Sequence, residues 1–280
     1  MKAGTPSRTA QLVAMGRAMA DLGLSHVPDF RDPTARVFLS DKGRRRFAKT
    51  ERAVREGKRS ASVEMARTMA NFIALRTSTI DVAVRHAIAN GARQLVILGA
   101  GYDGRAWRMP ELGGVNVFEV DHPDTQGDKR ARIPELPPAI GSVRFVSIDF
   151  KTEALDKVLE RAGHDRSLPT CWIWEGVVMY LEREAMRATL AGVARLSVPG
   201  STLIVNYHTY HGRWFARLMF KLIGEPQISA WTPDEMAQDL KSAGFVVTDA
   251  SGMLDWSARF ARSQAKVERG YYMRVAVAQN

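Results

Sequence analysis

Three carboxylates stand at the ends of short apolar runs in the middle of the chain. Asp121 ends the run VFEVD, Asp149 follows VSI, and Glu175 follows CWIW. At the carboxyl end of a buried strand, a carboxylate can accept hydrogen bonds from ribose hydroxyls, an adenine amino group or an ammonium group. Phe150, next to Asp149, can pack its ring on the face of an adenine base. The spacing therefore predicts a nucleotide-type ligand site.

A glycine turn lies ahead of these carboxylates. The stretch QLVILGAGYDG, residues 94–104, contains an apolar run that stops at Gly99 and Gly101, where only glycine lets the backbone turn sharply and approach a ligand. With Gly104 the stretch satisfies G-x-G-x-x-G, and an acid, Asp121, follows about 20 residues later. That combination fits NAD and fits S-adenosylmethionine equally well, so an NAD-dependent oxidoreductase stays open as an alternative. The two later carboxylates favour S-adenosylmethionine.

Strands and helices that would hold these residues alternate from Arg93 onward. Such alternation indicates a parallel sheet with helical crossovers. The predicted strands are Gln94–Leu98, Val115–Val120, Val143–Ile148, Cys171–Trp174, Thr202–Asn206, Phe245–Val247 and Met273–Val277. The predicted helices are Gly104–Met109, Lys151–Arg161, Glu182–Leu196 and Thr232–Ala243. No clear helix separates the last two strands, which predicts that they pair antiparallel.

The first 90 residues read as a series of helices, and we expect them to form a helical cap or lid. Ser7 can cap the first helix, and Asp32-Pro33 can open another. The helical pattern continues over Ser62–Arg76 and Thr79–Ala89 and is predicted to end at Asn90-Gly91. The cap would therefore lie ahead of the sheet in the chain and outside it in space.

Composition and charge narrow the class of protein. The 280 residues are 45% hydrophobic and carry a net charge of +10, with basic residues clustered from Lys42 to Arg59. We interpret this cluster as a solvated helical face rather than a nucleic-acid site, because no aromatic stacking platform accompanies it. The single cysteine, Cys171, excludes an internal disulfide framework and fits a reducing compartment. With no signal peptide and no apolar run of about 18 residues, we expect a cytoplasmic protein that does not enter a membrane.

Three motifs, LGAGYDGRAWR, FEVDHP and WEGVVMYL, occur in an order and spacing that resemble the leucine carboxyl methyltransferase family and its bacterial relatives. The stretches SRTAQLVAMGRAMA, DPTARVFL and IALRTSTIDVAV resemble the family too, so the similarity covers most of the chain. The resemblance implies an α/β fold of the Rossmann-like, seven-stranded class I methyltransferase type with a helical N-terminal cap. Residues 91–280 would form the S-adenosylmethionine-dependent methyltransferase domain, with a lid insertion at about 208–230. The implied activity is that of an O-methyltransferase.

The resemblance also implies a role for individual residues in holding the cofactor. Arg76 would meet its carboxylate, and Glu175 its amino group. The backbone at Gly99 and Gly101 would approach its methionine portion. The remaining contacts would be made to the ribose by Asp121 and to the adenine by Asp149 and Phe150. The sequence predicts no metal site.

A polar and aromatic run, NYHTYHGR, follows the fifth predicted strand and would line the acceptor site. His208 or His211 can act as a base there, and Tyr207 or Arg213 can hold a carboxylate. A carboxylate acceptor is already ionised at neutral pH and needs no base, whereas a phenol, with a pKa of about 10, usually needs one. We predict a small-molecule or peptide carboxylate as the acceptor, which the positive net charge also favours.

Three alternatives compete with this prediction. The first is an O-methyltransferase that uses a histidine base on a phenolic or hydroxyl acceptor. The others are a member that binds the cofactor without catalysis and a basic, RNA-binding methyltransferase whose RNA affinity would depend strongly on salt. The sequence does not predict an oligomeric state.

Overall fold

The strands of the described part of the chain form one mixed sheet. In the computed structural model, residues 6–149, 153–210, 227–262 and 273–280 are described. The strands are β1 (Gln94–Leu98), β2 (Asn116–Asp121), β3 (Ser142–Ser147), β4 (Thr170–Trp174), β5 (Thr202–His208), β6 (Val246–Gly252) and β7 (Met273–Gln279). They lie in the seven-stranded order β3-β2-β1-β4-β5-β7-β6. β1 to β5 run parallel, and β7 is antiparallel to β5 and β6. The predicted α/β fold and the antiparallel pairing of the last two strands are confirmed.

The order of the strands reverses at β1. From β1 the chain proceeds outward through β2 and β3, then returns to the other side of β1 for β4 and β5. At such a reversal a crevice opens at the carboxyl ends of the strands, which is where doubly wound sheets bind ligands. The glycine turn, Asp121 and Glu175 follow or end β1, β2 and β4, so the topology gathers them at this crevice.

Four α-helices precede the sheet in the chain: α1 (Arg8–Met19), α2 (Thr34–Val37), α3 (Asp41–Arg55) and α4 (Ala61–Ala89). The Ser7 hydroxyl accepts the Ala10 N–H at 3.1 Å, as predicted for a cap of α1. The predicted helical pattern over residues 62–76 and 79–89 is confirmed, and α4 runs through both ranges without a break. Thr77 is fully buried there. Packing outweighs the small propensity penalty of threonine and serine in a helix interior.

The other α-helices of the described ranges are α5 (Arg105–Arg108), α6 (Pro123–Arg132), α7 (Leu155–Arg161), α8 (Arg183–Arg195), α9 (Pro233–Ser242) and α10 (Met253–Phe260). Neither α6 nor α10 was predicted from the sequence. The segment PDTQGDKRAR of α6 has almost no apolar residues, so it shows no helical period. The expectation of no clear helix between the last two strands is wrong, since α10 lies between β6 and β7. With 8 residues, α10 is too short to show a decisive period.

Side chains alternate along the strands and divide the core between the two faces of the sheet. In β1, Leu95 and Ile97 join a cluster with apolar residues of α1 and α4. Val96 and Leu98 join a second cluster with residues of α7, α8 and α9. We call these sides the cap face and the distal face. The helices that precede the sheet thus share a core with it, and a domain boundary at residue 90 stays a prediction.

The basic stretch lies mostly in α3. Phe47 is buried, and the guanidinium of Arg36 stacks over its ring at 4.6 Å from the centroid. The basic side chains exposed along the same stretch are Lys42, Arg45, Arg46, Lys49, Arg52, Arg55, Lys58 and Arg59. This arrangement is that of a solvated helical face with one buried anchor.

None of the helices in the described ranges is both long and apolar enough to span a lipid bilayer. The 29-residue α4 exceeds the length needed, but charged residues recur along it. The cytoplasmic location stays a prediction.

Candidate active site

The turn after β1 requires glycine for its conformation and for its space. Gly99 has φ = 67° and Gly101 has φ = 51°, both in the left-handed region. A Cβ atom on Gly99 would lie 2.3 Å from Cγ2 of Val177. The Gly99 N–H donates to the carbonyl of Val120 at 2.8 Å, which ties the turn to the end of β2. The turn is therefore fixed where β1 and β2 open toward the crevice.

Asp121 ends β2 and binds this turn through its carboxylate. Its Oδ2 accepts the Gly101 N–H at 2.5 Å, and its Oδ1 accepts the His122 N–H at 2.6 Å. Burial raises the pKa of Asp121, and the two backbone hydrogen bonds oppose that shift. Each carboxylate oxygen keeps a second lone pair for another donor. The structure places Asp121 beside the glycine turn, and its contact with a ribose stays a prediction.

Arg76 and Glu175 meet at the same edge of the sheet. Arg76 comes from α4 and Glu175 follows β4, and Arg76 Nη2 lies 2.7 Å from Glu175 Oε1. Their side chains are 4% and 11% exposed. Burial alone would raise the pKa of Glu175, but the charges of Arg76 and Arg105 outweigh burial and lower it. Glu175 is therefore an ionised carboxylate within a largely buried site.

Sequence reasoning missed the charged residues that surround this pair. Arg105, at the start of α5, is fully buried and contacts three carboxylates. Its Nε donates to Asp81 Oδ1 at 2.8 Å, and its Nη1 contacts Asp103 Oδ2 and, at 3.1 Å, Glu175 Oε2. Arg108 donates to both oxygens of Asp81 at 2.7 and 2.9 Å. The motif LGAGYDGRAWR did contain a signal, because two arginines stand in the short predicted helix next to the glycine turn, and arginines buried there would need counter-ions.

The charged cluster continues toward α1. Asp32 lies 3.5 Å from Arg17 Nε and 3.5 Å from Arg108 Nε. Arg17 Nη2 also donates to the carbonyl of Tyr102 in the glycine turn at 2.6 Å. Four arginines and four carboxylates are thus buried together between the cap helices and the crevice, and their formal charges cancel.

Asp149 follows β3, two strands away from β1. Its N–H donates to Glu153 Oε2 at 3.0 Å, and its side chain is partly exposed. Phe150 lies outside the described residues. Asp149 therefore stands beside the strand that is outermost on this side of the sheet, and both adenine contacts stay predictions.

The two candidates in β5 point to opposite faces of the sheet. Tyr207 is buried in the cluster of the distal face, away from Arg76. His208 is buried toward the cap face, where its strand partner Met273 accepts a hydrogen bond from Arg76 through its sulfur. Burial lowers the pKa of His208 to about 4, a hydrogen bond with Gln227 opposes this, and the charge of Arg76 adds to it. His211, Arg213 and most of the predicted lid lie outside the described residues.

The donors and acceptors at the crevice fit the amino-acid and ribose parts of S-adenosylmethionine. Within the described ranges, the buried Arg76 Nε has no hydrogen-bond partner, and Glu175 Oε1 has its ion pair with Arg76 Nη2 at 2.7 Å. Arg76 Nη1 has only a thioether sulfur, a weak acceptor, at 3.7 Å. A cation and an anion side by side, both with unused hydrogen-bonding capacity, match a zwitterionic amino acid.

The fold and the position of the site define a class of protein, and solved structures with a similar fold agree. A DUF574 family protein from Streptomyces avermitilis is similar with a TM-score of 0.59 and 15% identity, over 94% of this chain and 96% of that one. The magnesium protoporphyrin IX methyltransferase ChlM from Synechocystis PCC 6803, solved with bound S-adenosylhomocysteine, has a TM-score of 0.51 and 15% identity, over 86% and 94% of the two chains. The fold is that of the class I methyltransferases, which confirms the predicted fold class.

The family follows from the sequence comparisons. The leucine carboxyl methyltransferase family model matches residues 10–194. A protein of Mycolicibacterium gilvum, provisionally named an S-adenosyl-L-methionine-dependent methyltransferase, is 35% identical over 73% of this chain and 67% of its own length. A protein of the same provisional name from Mycobacteroides abscessus is 35% identical over 72% and 67%. The matched stretches thus span about two thirds of these relatives. The chain belongs to the leucine carboxyl methyltransferase family, and the predicted resemblance is confirmed.

Proposed function

We propose that this chain transfers a methyl group from S-adenosylmethionine to a carboxylate oxygen of a small molecule or peptide. Membership of the family makes the chain an S-adenosylmethionine-dependent methyltransferase, which replaces the NAD interpretation of the glycine turn. The observation that carries the proposal is the buried Arg76–Glu175 pair at the crevice. Its two charges complement the carboxylate and the ammonium group of the cofactor's methionine portion.

The other residues of the site take the roles that their positions allow. The backbone at Gly99 and Gly101 borders the methionine portion. Asp121 accepts hydrogen bonds from the ribose hydroxyls with its remaining lone pairs. Asp149 accepts a hydrogen bond from the adenine amino group, and the ring of Phe150 packs on the face of the base. When bound, the cofactor supplies an electrophilic methyl group on a sulfonium. The task of the chain is to hold an acceptor oxygen in line with that methyl group.

A carboxylate acceptor agrees best with the ionisable residues near β5. Methyl esterification forms an O–C bond and breaks the S–C bond, with S-adenosylhomocysteine leaving, and it requires no proton transfer. A phenol would need a base, and His208, with its pKa lowered to about 4, is a weak one. Its neutral imidazole can instead donate a hydrogen bond to an acceptor carboxylate. Tyr207 is buried on the distal face, so the proposal assigns the acceptor to the side of His208.

The test is to identify the bond that the transferred methyl group forms. The protein is incubated with methyl-labelled S-adenosylmethionine and a panel of carboxylic acids, peptides with free C-termini and matched phenols. Methyl esters release labelled methanol on treatment with alkali, whereas aryl methyl ethers keep the label. We expect alkali-labile product from carboxylates alone, and Glu175→Gln serves as the inactive control. Alkali-stable product from the phenols would replace this proposal with a hydroxyl acceptor.

A further inference from the structure

Arg105 is a fully buried arginine whose side chain does not reach solvent. Its guanidinium joins Asp81, Asp103 and Glu175, which come from α4, the glycine turn and the end of β4. A buried guanidinium is tolerated only when its counter-ions satisfy it, so its orientation is set by these partners. Arg105 is thus the link between Glu175 and the rest of the charged cluster.

Asp81 is the most firmly held of these partners. Arg108 donates to both of its oxygens, and Arg105 Nε donates to Oδ1. Burial alone would raise the pKa of Asp81, but the charges of Arg108 and Arg105 outweigh burial and lower it. Asp81 therefore stays ionised and keeps the Nε edge of Arg105 fixed. With that edge fixed, Nη1 of the planar guanidinium is directed at Glu175.

Helix α4 supplies both residues that hold Glu175, one directly and one through Arg105. Arg76 and Asp81 lie five residues apart on α4, and one reaches Glu175 directly while the other reaches it through Arg105. When a ligand carboxylate accepts hydrogen bonds from Arg76, the Arg76 charge stabilises the ionised Glu175 less. Arg105 remains, so Glu175 stays ionised and in place for an ammonium group.

We propose that Asp81 and Arg105 form a buried relay that positions Glu175 and thereby sets the affinity for the amino-acid portion of the cofactor. Both are positioning residues, because they act through Glu175. The inference rests on the proposed placement of the cofactor's methionine portion at Arg76 and Glu175. The relay predicts that replacing either residue weakens binding of the amino-acid portion of the ligand and leaves binding of the nucleoside portion unchanged.

Two ligands separate these parts. S-Adenosylhomocysteine carries both the nucleoside and the amino acid, whereas 5′-methylthioadenosine carries the nucleoside without the amino acid. Calorimetric titration, with competition where binding is weak, gives the ratio of the two dissociation constants for each variant. Asp81→Asn keeps the shape of the side chain and removes its charge. We expect it to raise the dissociation constant of S-adenosylhomocysteine about tenfold or more, a loss of about 1.4 kcal/mol. The dissociation constant of 5′-methylthioadenosine should change by less than about twofold.

Two further variants complete the design. Arg105→Lys keeps the charge but cannot hold Asp81 and Glu175 at once, so we expect the same selective loss of S-adenosylhomocysteine binding. This variant tests the relay if Asp81→Asn does not fold. Asp239→Asn is the matched control, since Asp239 is a buried, ion-paired aspartate 2.9 Å from Arg187 on the distal side. It should leave both dissociation constants unchanged.

The outcomes distinguish the relay from the function on which it rests. If the wild-type protein binds both ligands equally, the methionine portion does not lie at Arg76 and Glu175, and the proposed placement fails together with the relay. If the wild type prefers S-adenosylhomocysteine and both relay variants keep the same preference, only the relay is overturned. An equal loss for both ligands would show a general loosening of the fold and would also overturn it.

Discussion

The two faces of the sheet bury different kinds of side chain. On the distal face, large apolar residues such as Trp172, Leu203 and Phe245 pack between the sheet and the helices. On the cap face, arginines and carboxylates are buried among the apolar residues at the carboxyl ends of the strands. Apolar burial stabilises a fold directly, whereas burying charges costs desolvation that their pairing only offsets. The distal face therefore supports the fold, and the cap face holds charges that a ligand can use.

The largest expected effect separates these two kinds of burial. Arg105→Ala leaves Asp81, Asp103 and Glu175 short of a counter-ion and should lower the free energy of unfolding by about 3–5 kcal/mol at neutral pH. Leu203→Ala on the distal face should cost about 2–5 kcal/mol through lost packing. The size of the loss in unfolding free energy does not distinguish the two variants, but the dependence of that loss on pH does.

The pKa of Asp103 is lowered to about 2, and the pKa values of Asp81 and Glu175 are also lowered. A carboxylate with a lowered folded-state pKa contributes stability above its unfolded pKa and loses it as the pH falls through the folded value. The cost of Arg105→Ala should therefore shrink when denaturation is repeated at about pH 3.5, where unpaired carboxylates are protonated. The cost of Leu203→Ala should not change. Equal behaviour of the two variants would remove the distinction between the faces.

A second effect concerns ligand binding at the crevice. Asp121→Ala should raise the dissociation constant of S-adenosylhomocysteine by about a hundredfold or more, which corresponds to about 2.7 kcal/mol. It should also cost about 1–2 kcal/mol of stability, because the N–H groups of Gly101 and His122 lose their acceptor. Calorimetry and chemical denaturation measure the two losses. Normal binding by the folded variant would show that the ribose does not lie at Asp121.

A third, smaller effect compares one histidine on each face. His208, toward the cap face, and His164, between Phe118 and Trp172 on the distal face, both have a pKa lowered to about 4, with burial as the largest cause. Between the folded value and an unfolded value of about 6.5, the unfolded state binds more protons, so stability rises with pH. Each histidine contributes up to about 1.4 kcal/mol per pH unit to that slope.

Single replacements with glutamine should flatten the slope by similar amounts, as measured by denaturation from pH 4 upward. A change at His208 alone would mean that charges of the site, rather than burial, set these pKa values.

The smallest effect concerns an exposed ion pair between Arg85, which lies on the same helix as Arg76 and Asp81, and Glu111, which lies outside that helix. Arg85 Nε lies 2.7 Å from Glu111 Oε1, and both side chains are well exposed. Because solvent screens such pairs, Glu111→Gln should change stability by about 0.5 kcal/mol or less and should not affect ligand binding. A loss comparable to that of Arg105→Ala would contradict the assignment of the large effects to buried charge.

The sequence was sufficient to predict most of the sheet. The β-branched runs of β1 and β4 and the turn residues between elements are local signals, and they located the parallel strands and the terminal antiparallel pair. α6 could not be predicted in this way because its polar sequence has no period, and the continuity of α4 depends on packing that no local pattern shows.

The residues of the crevice could be proposed from the sequence in part. Asp121 and Glu175 were proposed because they stand at strand ends, and Arg76 was proposed through the family resemblance. The structure places all three at the crevice, and their contacts with the cofactor stay predictions. Arg105 and Asp81 escaped because an ion pair between residues far apart in sequence depends on how α4 crosses the sheet. The side of the sheet to which Tyr207 points could not be predicted, because the phase of β5, which places it on the distal face, becomes visible only in the fold.

One measurement tests the central assignment most directly. Purified protein is titrated by calorimetry with S-adenosylhomocysteine, and with NAD in parallel, since the glycine turn fits both ligands by its sequence. The account predicts micromolar binding of S-adenosylhomocysteine and no binding of NAD. Binding of NAD alone, or of neither ligand, would contradict the assignment of the crevice to S-adenosylmethionine.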